Sequence, residues 1–172
     1  MRCPGLPLCG LLWLGLPLLY GRPVKIDKVK ADAKNLTRTL IARIQELQVR
    51  GYLLPVNLKV SGLDFLPGER PPESLEAMDA TLQVFQRVLA GLPLDAVPGA
   101  QLANDMENLR SLLRLLGAHL GCAPPAAPAA PALGNLTDLL AEAPYSAAAV
   151  ALDRLHKSLH GITKHLDQLR CC

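Results

Sequence analysis

Residues 73–92 read ESLEAMDATLQVFQRVLAGL. Leu75, Met78, Leu82, Phe85, Leu89 and Leu92 alternate at three- and four-residue spacing, which at 3.6 residues per turn brings them onto one face of a helix. Glu73 and Glu76 put negative charge at the start of the segment, where it complements the helix dipole. A strand would need apolar residues at alternate positions, and this stretch has none of that pattern. A helix with a single apolar face must bury it against other elements, so the remaining chain has to supply them.

Proline punctuation shows where those elements lie, because an interior proline removes a helix hydrogen bond and clashes with the preceding turn. Beyond 73–92, the proline-free windows are 24–54, 99–123, 132–143 and 145–172. Ile26, Val29, Ala33, Leu36, Leu40, Ile44 and Leu47 stripe the first window, and Leu102, Met106, Leu109, Leu113, Leu116 and Leu120 stripe the second, widened by Leu112 and Leu115. Leu152, Leu155, Leu159, Ile162, Leu166 and Leu169 stripe the last window, with Ser146 as its expected N-cap. The short window around Leu136, Leu139 and Leu140 predicts one or two turns across the end of a bundle.

Four amphipathic helices of five to six turns imply an all-α four-helix bundle. Each helix of ~22 residues is about 33 Å long, so a connection to a parallel neighbour needs at least ~10 extended residues. The connections near residues 48–72 and 121–145 exceed that length, whereas the one near 93–100 suits an antiparallel turn. Long, short, long predicts up-up-down-down topology with two crossover loops, the arrangement of growth-hormone-like cytokines.

Composition agrees with this reading. Of 172 residues 50% are hydrophobic but only 3% aromatic, which disfavours a β-sandwich, and a net charge of +3 is too small for a nucleic-acid footprint. Arg2 followed by a leucine-rich run to Tyr20 reads as a secretory signal peptide over 1–21, leaving 22–172 as the mature domain. That run is shorter than the ~20 residues needed to span a bilayer, so membrane insertion is not expected.

In a secreted chain Cys122 is expected to pair with Cys172 or Cys171, closing a loop that stabilises the fold by ~4 kcal/mol, and one thiol is left over. The sequons Asn35-Leu36-Thr37 and Asn135-Leu136-Thr137 are candidate glycan acceptors. Asn135 falls in a long connection, and Asn35 lies about 140° from the centre of its helix's apolar stripe. His156 and His160, four apart, have spacing that can chelate Zn²⁺, yet they lack the Glu of a zinc peptidase and lie off the leucine stripe. They read as solvated surface histidines, as does His119, and Asp105 and Glu107 read as ordinary charged surface. No Gly-x-Ser-x-Gly elbow, phosphate-binding glycine loop or zincin helix occurs, so no enzyme, cofactor or metal is expected. The remaining alternative is a secreted helical carrier for an apolar ligand, which would need small residues facing a cavity.

Several segments outside the core stripes carry a resemblance. Gly62-Leu63-Asp64-Phe65-Leu66-Pro67-Gly68, Met78-Asp79 with Thr81-Leu82, and Asn104-Asp105-Met106-Glu107-Asn108-Leu109-Arg110 are similar to the leptin family of long-chain helical cytokines. So are Tyr145-Ser146, Val150-Ala151-Leu152 with Arg154-Leu155, and the lone cysteine after the third helix answered by a terminal one. The resemblance spans the mature chain and departs most in the proline-rich run 123–132. It implies a circulating hormone, monomeric before engagement, that binds the leptin receptor, a class I cytokine receptor, and signals through JAK kinases and STAT factors in energy balance and appetite. It further implies one receptor contact on the first and third helices, through Asp32, Arg38, Thr39, Arg43, Gln101, Asn108 and Leu112. Asn35 and Ser111 in that face differ from the more familiar members. A second contact, with an immunoglobulin-like receptor domain, would use Leu63, Asp64, Phe65, Leu66 and Ser146, next to an Ala147 that replaces the usual Thr. The apolar residues of this loop either pin it to the bundle or form an anchor for a partner.

Overall fold

The computed structural model describes residues 25–52, 62–68, 70–122 and 136–169. The segment 1–21, Asn135, Cys171 and Cys172 lie outside the described residues. Among the described residues the elements are α1 (Ile26–Leu47), α2 (Leu75–Leu89), α3 (Ala96–Leu120), the short α4 (Leu136–Glu142) and α5 (Pro144–Gln168), with no strand. A wider, π-type turn, Gln48–Tyr52, continues α1.

Helix direction follows from cross-contacts. Lys30 Nζ donates to the Leu169 carbonyl at 2.8 Å, while Gln45, four turns further along α1, meets His156, so α1 and α5 run antiparallel. Arg43 pairs with Asp105, and Arg50 shares a cleft with Val97, which sets α1 antiparallel to α3. Asp79 bonds Arg110 and Arg114 while Gln86 bonds Glu107, so α2 is antiparallel to α3. At the start of α2 Pro72 lies by Gly161, and past its end Gly91 lies by Leu140 of α4, which leads into α5, so α2 is antiparallel to α5. Two helices each antiparallel to the same two neighbours are parallel to one another, and the topology is up-up-down-down as the loop lengths required.

The stripes meet in one core. Leu40, Ile44, Met78, Leu82, Phe85, Leu102, Met106, Leu109, Leu113, Leu116, Leu152 and Leu155 are the largest fully buried side chains, each contributing about 1.5–3 kcal/mol by its removal from water. At the stripe edges the periodicity overreached. Leu115 stays 39% exposed, and Leu92 is buried from the turn beyond α2 rather than from the helix itself.

Three helix ends also differ from expectation. The Ser74 hydroxyl caps α2 by accepting from the Ala77 N–H at 3.1 Å, a cap the acidic first turn did not reveal. Pro98 sits inside the first turn of α3, so that helix begins two residues before its proline. The first four N–H groups of a helix have no internal partner, and proline loses nothing there. In the same way Pro144 opens α5 with Ala143 at the cap position, so Ser146 lies within the first turn and is not the cap. Helix α3 ends at Gly121, whose left-handed φ of 73° lets the Cys122 N–H return to the Gly117 carbonyl at 2.9 Å.

Candidate functional site

On α1, Asp32, Thr39 and Arg43 fall within about 40° of one another around the axis, and on α3 Gln101, Asn108 and Leu112 fall within about 40°. The two rows lie side by side because Arg43 meets Asp105, their charged atoms 2.9 Å apart across the antiparallel seam. The Arg43 N–H is not directed along that line, so the contact is charge attraction without a straight hydrogen bond. Asp105 is thus a half-buried seam residue and more than the charged surface its position suggested.

Local bonds fix the rest of this face. Asp32 accepts from Lys28 Nζ at 2.9 Å, and the Thr39 hydroxyl donates to the Asn35 carbonyl at 3.1 Å. Arg38 lies about 120° round from Asp32 and reaches the Asn35 side-chain oxygen at 3.5 Å, so it flanks the row. Asn108 is exposed, and Leu112 is half-buried against the core. Gln101 lines a shallow cleft of about 240 Å³ with Arg43, Glu46, Leu47, Arg50, Val97 and Pro98. Val97 is 78% exposed there, an apolar group among three charged ones. Asn35 is exposed, but Thr37 of the same sequon is fully buried, its hydroxyl donating to the Ala33 carbonyl at 2.7 Å.

The loop residues divide by burial. Leu63 and Leu66 are each only 3% exposed and belong to the core, Phe65 is half-buried against it, and Asp64 is exposed. The two leucines therefore pin the loop, leaving Asp64 and one edge of Phe65 toward solvent. A Cβ on Gly68, with φ of 124°, would stand 2.8 Å from the Arg154 carbonyl oxygen, and one on Gly161 would stand 2.9 Å from Pro71. Gly68, Pro71 and Pro72 consequently lie flush on α5. Ser146 is half-buried in the first turn of α5, about 12 Å along the axis from Arg154. Ala147 is fully buried, so that edge presents Tyr145 and Ser146 instead.

The periodicity did not reveal a buried polar cluster between α2 and α3. Asp79 is 4% exposed and accepts from Arg110 Nε at 2.9 Å and from Arg114 at 3.1 Å, while Arg110 also donates to Gln86 at 2.6 Å and Glu107 at 3.2 Å. Glu107 is thereby tied into this cluster and is not idle surface. The spacing of Asp79 four after Leu75 was the available signal, since it puts the carboxyl on the core side of α2.

Cys122 is half-buried and disulfide-bonded, with its partner outside the described residues. Among the described residues no group of three or more His, Cys, Asp or Glu side chains stands together to hold a metal ion, and no helix is long and apolar enough to cross a membrane.

Comparison with known proteins shows the family. A leptin family model matches residues 25–172. Leptin of Sminthopsis crassicaudata is 40% identical over 172 residues, covering 100% of both chains. Leptin of Mus musculus is 42% identical over 161 residues, 94% of this chain and 95% of that one. Leptin of Homo sapiens is 40% identical over 160 residues, 93% of this chain and 94% of that one.

Proposed function

That this chain belongs to the leptin family is the premise from which we propose that it is a secreted hormone, released by removal of residues 1–21, that binds and activates a leptin-type class I cytokine receptor. Receptor engagement switches on JAK kinases and STAT factors to regulate energy balance and appetite. Membership of a hormone family gives the chain no catalytic role.

The observation that carries the reading is the paired row along α1 and α3, where Asp32, Thr39, Arg43, Gln101, Asn108 and Leu112 line one antiparallel seam. A polar rim around a few apolar groups is the anatomy of a protein interface. We assign the second contact to Asp64, Phe65 and Ser146, with Leu63 and Leu66 holding the loop in place beneath them. Cys122 paired with Cys172 or Cys171 ties the end of α3 to the C-terminus, and Asn135 and Asn35 are the glycan acceptors.

The deciding experiment applies oxidised mature protein to cells that carry a leptin receptor and measures STAT phosphorylation. A dose-dependent response supports the proposal, and silence from correctly oxidised, monomeric protein overturns it. The carrier alternative finds little support, since Phe85, Leu82, Leu109 and Leu152 fill the places where an apolar ligand would need room.

A further inference from the structure

His156 and His160 take no part in the hormone reading. They lie one turn apart on α5, where residues four apart are neighbours on the helix surface. Their ring centroids are 4.6 Å apart and their planes nearly perpendicular, at 87°. His156 is half-buried against α1, its Nε2 lying 3.3 Å from the side-chain amide of Gln45, and His160 is exposed.

These distances bring two imidazoles close enough to share one ion. A metal–imidazole bond of about 2.0–2.1 Å places the ring centre about 3.2 Å from the ion. Two such rings at a right angle have centroids about 4.5 Å apart, whereas a tetrahedral angle separates them to about 5.2 Å. Centroids 4.6 Å apart put both rings within reach of one ion once their side chains rotate, and among divalent ions Cu(II) binds imidazole most tightly.

We propose that His156 and His160 form a surface chelate for a divalent transition-metal ion, with Cu(II) the tightest occupant and water completing the coordination. His156 exchanges its contact with Gln45 for the ion. Turned over, the Gln45 amide offers its oxygen as an additional donor from α1, since amide orientation is set by the bonding network around it. The nearby charges are already compensated, as Lys157, between the two histidines, pairs with Asp153 at 2.7 Å. With two imidazoles from this chain the site is a surface chelate that leaves the fold intact without metal, unlike a four-ligand structural centre.

The test uses the full mature protein with its thiols alkylated, titrated with Cu(II) at pH 7.4 and followed by electron paramagnetic resonance and a competition assay for affinity. The expected spectrum shows coupling to two imidazole nitrogens. His160→Ala lowers affinity about tenfold or more, because the second ligand no longer acts at high effective concentration. His119→Ala leaves it unchanged, and acidification to pH 5.5 releases the ion. His160 is exposed, so its variant keeps the fold, which circular dichroism verifies. Equal affinity in wild type and His160→Ala, or a spectrum with a single imidazole, overturns the proposal. Neither result depends on receptor activity, so the chelate and the hormone reading stand or fall separately.

Discussion

Asp79 is the polar centre of the α2–α3 seam, bonded to both Arg110 and Arg114. Its carboxylate neutralises Arg110, a guanidinium with 7% exposure, so Asp79→Ala leaves that charge without its buried counter-ion, held only by Gln86 and the exposed Glu107. Urea unfolding should show a loss of about 3–5 kcal/mol, against about 0–1 kcal/mol for Arg114→Ala at the solvent end of the cluster. Arg43→Ala should behave in the opposite way. Its seam pair with Asp105 is partly solvated, so stability changes by less than about 1 kcal/mol while receptor affinity, measured by surface plasmon resonance, falls about tenfold. An unchanged affinity would remove the α1–α3 row from the contact. The buried Thr37 hydroxyl decides how the Asn35 glycan is tested. Thr37→Ala removes the sequon but also a core hydrogen bond, so Asn35→Gln at the exposed position is the informative variant. Stripe counting could not reveal Asp79, Arg110 or Thr37 as interior residues, because it sorts side chains by polarity alone and is blind to partners from another helix.

For whole elements, α2 was legible from its leucine spacing because a helix is specified by which residues share a face, and that information is local. Its end was not, since Leu92 keeps the apolar rhythm from a turn. Pro98 and Pro144 show the complementary gap, because a proline forbids the interior of a helix but suits its first turn. The loop 62–68 was only half legible. Its apolar residues announced a docking segment, but only the packing of Gly68 on Arg154 shows which of them face inward. Gly68→Ala would force a side chain into a left-handed φ and against a backbone carbonyl, costing about 1–3 kcal/mol of thermal stability. Because that residue holds the loop against α5, the variant should also weaken binding of the receptor's immunoglobulin-like domain more than Asp64→Asn does.

At the scale of the whole molecule, two titrating groups give the stability an acid-sensitive profile. His156 binds its proton less readily in the folded protein than in the unfolded chain, so the unfolded state takes up more protons as pH falls. Its contribution is present above about pH 6.5 and declines below that value, and His156→Gln should flatten this part of a pH–stability curve measured by denaturant titration. Asp167, lowered by its bond from Lys34, adds a smaller, solvent-screened loss below its ordinary value of 3.8.

The antiparallel pairing of α1 with α5 also sets the moment at which this protein can become itself. Lys30 and the Leu169 carbonyl that it grips are separated by 139 positions, so the part of α1's apolar face that packs on α5 waits for the last helix before it is covered. Completion of the bundle is expected only when synthesis is essentially finished, with part of the leucine-rich surface in need of chaperoning until then. A chain cut short by even the final helix would thus lose the cover of its first, so a truncated product should be degraded in the cell instead of being exported as a partial hormone.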